Sequence, residues 1–287
     1  MIGNPEPAFV DAGQADACPA RPLALRPAAC FASVAGVMTD IDDTLTREGA
    51  IEPAALQALH DLRRAGLPVI AITGRPHGWS VPFASTWPVS AIVAENGAVA
   101  LLPQPDGTLL TEFAQDDATR ARNAERLQAV AAQVVREVPG AALATDSAGR
   151  LCDIAVDHSE FRHLPPERIA QVVDLMRAAG LTATVSSIHI NGWIGTHSKW
   201  TGAQWMLQRL FGRPLDAEVD RWVYVGDSTN DQPMFERFPH AVGVANLRRF
   251  AADLQHWPAW ITQAERGEGF AELARAVVAD RQVRAKG

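Results

Sequence analysis

Short apolar runs alternate with amphipathic segments over the first third of the chain. Residues 33–39 and 67–73 are continuous apolar runs of strand length. Between them, Leu56, Leu59 and Leu62 recur at helical spacing, and Gly66 follows the last of them. Strand, helix and strand of these lengths predict a right-handed βαβ unit with parallel strands. The segment that follows, through Trp87 and Pro88, is punctuated by Trp and Pro residues and is expected to form a loop.

The pattern changes after a cluster of chain-breaking residues at 103–107. The next segment predicts two helices, at 119–137 and 166–179, and short strands at 141–145, 151–156 and 182–190. Two helices and several short strands in this arrangement are typical of an α+β module. A strand-and-helix pattern like the first one then resumes near residue 198, so the module is predicted to be an insertion.

We therefore predict an α/β protein with a doubly wound, parallel-sheet (Rossmann-like) core and an inserted α+β domain. The core is assigned to residues 33–104 and 192–287, and the insertion to residues 105–191. Residues 1–32 are rich in proline and alanine and are expected to form a loosely ordered tail. Two early aspartates, Asp11 and Asp16, argue against a signal peptide.

Composition limits the classes of function. The 287 residues are 47% hydrophobic and 21% charged, as in folded soluble proteins. The net charge is -7 and no Lys/Arg cluster occurs, so nucleic acid is not an expected partner. No apolar run reaches the ~18 residues of a membrane span. Three cysteines without metal-ligand spacing fit a reducing compartment. We expect a cytoplasmic protein, monomeric or homodimeric, that acts on a small molecule.

Three carboxylates follow the first predicted strand within four residues: Asp40, Asp42 and Asp43. Burying like charges together is unfavourable unless a cation neutralises them, and a divalent metal ion is one such cation. The alternative is an acidic turn that caps the next helix, because Asp and Thr are common cap residues.

Further polar residues also end apolar strands. Thr73 follows the second strand, and Asp227 and Asp231 follow an apolar run at 221–225. Ligands of open α/β sheets bind at the carboxyl ends of the strands, so these residues are expected to share one site with Asp40 and Asp42. Taken alone, Thr73 is equally typical of a strand-end turn.

These motifs resemble those of the haloacid dehalogenase-like (HAD) superfamily of aspartate-nucleophile phosphotransferases. The four matching motifs occur in order: D-I-D-D-T-L-T from Asp40, T-G-R from Thr73, the isolated Lys199, and G-D-S-T-N-D around Asp227. An insertion between the second and third motifs is similar to a C2 cap, and the E-N-G-A turn at Asn96 resembles the type IIB group. Known activities there include sugar-phosphate phosphatases, phosphoglycolate phosphatase and phosphomannomutase.

The resemblance implies roles for the two acids of the first motif. Asp40 would attack phosphorus to form an aspartyl-phosphate. Asp42 would protonate the leaving alcohol and then deprotonate water. The dehalogenases of the superfamily lack this second aspartate, so its presence favours phosphoryl transfer.

The resemblance also implies a Mg²⁺ cofactor. Its ligands would be the Asp40 carboxylate, the main-chain carbonyl of Asp42 and the Asp227 carboxylate, with Asp231 contributing directly or through water. The ion would offset the repulsion between the nucleophile and an anionic phosphate.

Substrate-binding roles are implied for a second group of residues. Thr73 and backbone N–H groups near Gly74 would hold the phosphoryl oxygens, and Lys199 would supply a fixed positive charge. Trp200 follows Lys199 where the family often has glycine, so the local loop could differ and the lysine could be solvated.

Three further residues have open assignments. Arg75 either contacts substrate or pairs with an acid at the rim of the site. Asn96 and Asn230 either contact substrate or shape their turns, since Asn tolerates turn conformations.

The sequence thus predicts a Mg²⁺-dependent phosphomonoesterase that acts on a small phosphorylated metabolite, with a sugar or polyol phosphate as the leading expectation. One alternative is a hexose phosphomutase of the same fold. A second is a ligand-binding regulator without turnover.

Overall fold

The computed structural model describes residues 18–286, with side chains as far as residue 283. The strands are β1 (Arg21–Pro22), β2 (Gly36–Thr39), β3 (Thr46–Arg47), β4 (Ala50–Ile51), β5 (Val69–Ile72), β6 (Ala91–Ala94), β7 (Val99–Pro103), β8 (Leu109–Phe113), β9 (Asp153–Asp157), β10 (Thr182–Val185), β11 (His189–Trp193), β12 (Trp222–Gly226), β13 (His240–Gly243) and β14 (Trp260–Ile261). The α-helices are α1 (Pro53–Arg64), α2 (His77–Thr86), α3 (Asp117–Glu137), α4 (Pro166–Ala178), α5 (Lys199–Phe211), α6 (Gln232–Arg237) and α7 (Arg266–Lys286).

One large sheet forms the core, in the order β1-β14-β13-β12-β2-β5-β6-β7-β8. The strands from β1 to β6 in this order are parallel, and β7 and β8 add an antiparallel edge. Helices α1, α2 and α7 cover one face with apolar side chains, and α5 and α6 cover the other. Two covered faces explain why the central strands are apolar without alternation. The predicted fold class is confirmed.

A second, three-stranded antiparallel sheet lies in the insertion between β8 and α5. Its strand order is β10-β11-β9, and α3 and α4 pack on it around a separate apolar cluster. We call this unit the cap. Its limits differ from the expected 105–191, because β8 joins the large sheet and β11 extends to Trp193. Sequence periodicity does not show which sheet a strand joins, so it does not predict the pairing of β8 with β7.

Residues 18–32 are packed against the core, which corrects the expected tail over 1–32. Strand β1 pairs with β14, and the side chains of Leu23 and Phe31 are buried. Arg26 also pairs with Asp280 of α7. The high proline and alanine content of this segment gave no indication of these buried and paired side chains. The rest of the expected tail, residues 1–17, lies outside the described residues.

Three smaller expectations are also corrected. Residues 77–86, expected to be a loop because of their Trp and Pro content, form α2 with Pro82 inside it. The single strand expected at 182–190 is a hairpin, β10 and β11, with its turn at Ser186–Ile188. The strand expected at 141–145 is reduced to one bridge, Leu143 with Val156. Packing of the aromatic rings of Trp79, Phe83 and Trp87 outweighs the helix-breaking tendency of the proline.

Among the described residues, no helix combines the length and the apolar character that crossing a membrane requires.

Candidate active site

The carboxyl ends of three adjacent strands build the site. Strand β2 lies between β12 and β5, with Thr39 opposite both Val225 and Ala71. The residues that follow these strands, Asp40, Asp227 and Thr73, therefore emerge at the same edge of the sheet. The backbone N–H of Asp40 continues the pairing by donating to the Val225 carbonyl at 2.9 Å.

Lys199 lies at the centre of this edge, between two carboxylates. Its Nζ is 2.6 Å from Oδ1 of Asp40 and 2.7 Å from Oδ1 of Asp231. All three side chains are buried. Burial raises the pKa of Asp40 to about 7 against the lowering effect of Lys199. Burial lowers the pKa of Lys199, but the two carboxylates raise it more, so the ammonium is charged at neutral pH.

The start of α5 delivers Lys199 to this position. Ser198 caps the helix through a reciprocal pair of hydrogen bonds with Thr201. The Ser198 carbonyl packs so closely on Gly97 that a Cβ at Gly97 would lie 2.2 Å from its oxygen. Trp200 stacks edge-on against Phe238, away from the site. A tryptophan after the lysine is thus compatible with a regular helix start.

The acidic cluster fits a divalent cation. Carboxylate oxygens of Asp40, Asp227 and Asp231 lie within 4.8 Å of one another, and all three residues are buried. Within the described part of the chain, the Asp227 carboxylate accepts only long hydrogen bonds, of 3.4 Å from Thr44 and 3.3 Å from Asn246. Burial and the neighbouring carboxylates raise the pKa of Asp227 well above its ordinary value. Uncompensated oxygen donors of this kind suit a hard cation.

Asp231 is held differently from Asp227. Its Oδ2 accepts from the backbone N–H groups of Asp227 and Ser228, at 3.0 and 3.2 Å. Its Oδ1 accepts from Lys199 and from the Tyr224 hydroxyl. Since both oxygens are occupied, Asp231 is placed to fix the loop that carries Asp227.

Asp42 points into a different environment from Asp40. Both of its oxygens accept from Nε of Arg75, at 2.9 and 3.0 Å. Arg75 also donates to Asp146 and Glu160, which belong to the cap. Burial raises the pKa of Asp42, while Arg75 lowers it, and the net shift is upward. Arg75 therefore contacts acids, the second of the two assignments left open by the sequence.

Asp43 faces away from Asp40. Its backbone has a positive φ of 53°, and its carboxylate pairs with Nε of Arg266 at 2.7 Å. The Asp43 carbonyl accepts from the amide of Asn246, the same amide that contacts Asp227. Asn246 thus links the loop after β2 to the loop after β12.

The remaining predicted residues surround the T-G-R turn and the lysine. Thr73 is buried and accepts from the backbone N–H of Arg75 at 3.0 Å. Gly74 packs against the side chain of Asn96, which has a positive φ of 54° and a buried amide nitrogen with no hydrogen-bond partner in the described part of the chain. Asn230 accepts from the Ser228 hydroxyl at 2.9 Å and lies 3.5 Å from Nζ of Lys199.

A cavity of about 380 Å³ opens beside Asp42, between core and cap. The core side contributes Asp42, Asp43, Glu48 and Arg266, and the cap side contributes Glu160 and Phe161. The cap also contacts the loop after β12 on the opposite side, where the Thr229 hydroxyl donates to the Val185 carbonyl at 2.8 Å.

Several residues of this site lack any sequence signal. They are isolated polar residues in segments whose secondary structure was predicted from the apolar positions alone: Asn246, Asp146, Glu160 and Arg266. They lie near the acidic motifs because they form hydrogen bonds with residues more than 70 positions away in the chain. Only the three-dimensional arrangement assigns them to the site.

Comparisons with known proteins agree with this arrangement. Residues 37–134 match the family model of haloacid dehalogenase-like hydrolases. A phosphoglycolate phosphatase of Methanothrix thermoacetophila is 28% identical over 249 residues, which cover 84% of this chain and 95% of that protein.

Two solved structures share the fold over nearly their whole length. The Thermoplasma acidophilum protein 0175 superimposes with a TM-score of 0.64 at 16% identity, covering 85% of this chain and 98% of that one. The sucrose-phosphatase of Synechocystis, solved with sucrose and phosphate, has a TM-score of 0.60 at 17% identity and covers 84% and 96%. At these identities the likeness concerns the fold.

In its parallel core, its inserted cap and the match of residues 37–134 to the family model, the chain is similar to haloacid dehalogenase-like hydrolases.

Proposed function

We propose that the protein is a Mg²⁺-dependent phosphomonoesterase that hydrolyses a sugar or polyol phosphate through an aspartyl-phosphate on Asp40. One observation carries the proposal: two carboxylates two residues apart occupy contrasting environments. Asp40 contacts an ammonium beside the acidic cluster. Asp42 lies in the cavity wall and pairs with the guanidinium of Arg75. Paired acids in contrasting environments are typical of a nucleophile and a general acid.

In the first step, an oxygen of Asp40 attacks phosphorus and the bond between phosphorus and the ester oxygen breaks. Asp42 gives its proton to that oxygen, so the alcohol leaves neutral into the cavity. Lys199 holds the nucleophile in place with a charge fixed by Asp231. Backbone N–H groups near Gly74 would hold the oxygens of the transferred group.

In the second step, Asp42 takes a proton from water and the resulting hydroxide attacks the phosphorus of the aspartyl-phosphate. The acyl–phosphate bond breaks, phosphate leaves, and the Asp40 carboxylate is restored. Asp42 ends the cycle protonated, ready for the next ester.

Asp40 and Asp227, together with the main-chain carbonyl of Asp42, would hold Mg²⁺, which supplies charge neutralisation between the nucleophile and the phosphate. The long hydrogen bonds and raised pKa of Asp227 support this assignment.

The charges around the cavity favour a neutral, hydroxyl-rich leaving group. Four carboxylates, Asp42, Asp43, Glu48 and Glu160, line it together with two guanidinium groups, Arg75 and Arg266. A second anionic group on the substrate would add to this negative surplus, whereas hydroxyls can donate to the carboxylates. Phe161 offers an exposed aromatic ring at the cavity wall, on which an apolar face of the leaving group can pack.

A phosphate-release screen tests the proposal. Purified protein is incubated with sugar phosphates, polyol phosphates, phosphoglycolate and nucleotides, with and without Mg²⁺, and kcat/KM is compared. We expect release only with the metal ion and higher kcat/KM for neutral polyol esters than for phosphoglycolate. Preference for phosphoglycolate would reject the leaving-group assignment, and isomerisation of a hexose phosphate without phosphate release would identify a mutase.

The nucleophile is tested separately. Asp40→Asn should abolish hydrolysis of p-nitrophenyl phosphate while the circular dichroism spectrum stays that of the parent. Asp61→Asn, a change on the outer surface of α1, should retain full activity. An Asp40→Asn variant with parental activity would exclude the aspartyl-phosphate.

A further inference from the structure

Arg75 joins the cap to the core with all three of its side-chain nitrogens. Nε donates to Asp42 of the core, Nη1 to Asp146 at 3.1 Å and Nη2 to Glu160 at 2.7 Å. The guanidinium is only 4% exposed. Within the described residues, Asp42 accepts no hydrogen bond from any other side chain. The orientation of the Asp42 carboxylate therefore depends on a single arginine.

The two cap acids are themselves fixed within the cap. The second oxygen of Glu160 lies 2.8 Å from Nε2 of His189 on β11, and its backbone N–H donates to Asp157 at 2.9 Å. The second oxygen of Asp146 accepts from Arg150 at 3.1 Å. The position of the guanidinium thus follows the position of the cap sheet.

A cap displaced from the core would leave Arg75 with one of its three carboxylates. A buried guanidinium holds a defined orientation through the full set of its planar donors. With two donors released to water, the pair with Asp42 would resemble an exposed ion pair, which is weak and mobile. The carboxylate of Asp42 would then lose its fixed direction toward the ester oxygen.

We propose that Arg75 is a positioning residue, and that it aligns the general acid Asp42 only while the cap supplies Asp146 and Glu160. This inference rests on the proposed function, because it assumes that Asp42 protonates the leaving group. Arg75 acts through Asp42 in this role, because its three side-chain nitrogens are all engaged by carboxylates. Proton delivery is coupled to cap docking, so an ester is cleaved efficiently only when the cap has closed over it.

The dependence of rate on the leaving group distinguishes this role from a structural one. Aryl esters with acidic phenols need little help from a general acid, whereas alkyl-like leaving groups need full protonation. Loss of alignment should therefore lower the rates of the poorer leaving groups selectively. A variant that only loosens the fold should lower all rates by the same factor.

The test uses Glu160→Ala in the full-length protein with Mg²⁺ and a series of substituted phenyl phosphates of similar size and rising phenol pKa. Because Asp42 also activates water in the second step, the comparison uses kcat/KM, which reports only the step in which the phenol leaves. We expect p-nitrophenyl phosphate to retain its kcat/KM within about 3-fold and the least acidic phenol to lose on the order of 10-fold or more, as for partial loss of general acid catalysis. Glu160→Gln keeps an oxygen that can accept from Nη2, and should restore most of the lost rate.

Two reference variants make the outcomes separable. Thr229→Val removes a cap–core hydrogen bond remote from Arg75 and should change all rates in the series alike. Asp42→Asn should show the steepest leaving-group dependence. If the rate of Asp42→Asn depends steeply on the pKa of the leaving phenol and that of Glu160→Ala depends on it as in the parent, the role of Arg75 is overturned while the proposed function stands. If Asp42→Asn shows no added dependence, the general-acid assignment fails, and the coupling with it.

Discussion

Nζ of Lys199 lies 2.6 Å from Asp40 and 2.7 Å from Asp231, so one ammonium serves two buried carboxylates. Asp231 in turn fixes the backbone on which Asp227 is carried. The proposed nucleophile, the ammonium of Lys199 and the loop proposed to bind the metal ion therefore form one connected unit.

Replacement of Lys199 tests this unit. Lys199→Met leaves Asp40 and Asp231 facing each other without a cation, and removes the charge that opposes the phosphate. We expect kcat/KM to fall by about 100-fold or more, the range for loss of a fixed electrostatic partner. Inorganic phosphate should also inhibit far more weakly. Arg209→Met, an exposed change on the same helix, serves as the control and should keep parental values for both measurements.

Asp227 is predicted to destabilise the metal-free protein. Its buried carboxylate adjoins two others, and their repulsion raises its pKa together with burial. Asp227→Asn should therefore raise Tm without metal, by a few degrees if the relief is about 1 kcal/mol. Mg²⁺ should raise the Tm of the parent but leave the variant unchanged. Asp174→Asn, exposed on α4, should respond to Mg²⁺ as the parent does, and an equal response of Asp227→Asn would contradict the assigned ligand.

Asn246 is predicted to support the metal site without touching the substrate. Its amide nitrogen contacts both the Asp43 carbonyl and an oxygen of Asp227. Asn246→Ala should weaken Mg²⁺ binding by about 10- to 100-fold, as removal of an outer partner of a ligand commonly does. The midpoint of Mg²⁺-dependent thermal stabilisation reports this directly. Asn123→Ala, which removes a hydrogen bond to Gln115 in the cap, should leave the midpoint in place.

His197 is predicted to set part of the pH dependence of stability. It stacks on Trp193 near the junction of cap and core, and both ring nitrogens are buried without a partner in the described residues. Burial lowers the pKa of His197 to about 4, whereas an unfolded histidine titrates near 6.5. Protonation therefore favours the unfolded state as the pH falls from 6.5 to 4.

His197→Phe keeps the ring and removes this titration. Urea unfolding at pH 7, 6 and 5 should show a smaller loss of stability for the variant than for the parent. At pH 7 the variant should be more stable by about 1 kcal/mol, because two unpaired polar atoms are gone. Parallel stability profiles for the two proteins would disprove the assignment.

The hydrophobic pattern and the order of the predicted strands and helices were enough to predict the fold class and the residues at the strand ends. Asp40, Thr73 and Asp227 each follow an apolar run, and adjacent parallel strands bring such positions together whatever the loops between them do. Lys199 needed the family resemblance, because a lone lysine before a helix carries no chemical signal.

The rest of the site depends on contacts between distant segments. Glu160 and Asp146 belong to the site because they bind Arg75, which lies more than 70 residues earlier in the chain. Helix α2 was missed because its aromatic packing overrides local propensity. The junction at residues 103–113 was misplaced because β8 pairs with β7 in the core, and strand pairing partners are not encoded in periodicity.

The parallel pairing of β1 with β14 has a consequence for truncation of the protein. Arg21 covers the ring of Trp260 at 4.0 Å, and β1 satisfies the outer edge of β14. Removing residues 18–32 would expose an unpaired strand edge and the apolar sites of Leu23 and Phe31, features that promote self-association. The segment thus protects the solubility of a sheet whose chemistry takes place several strands away.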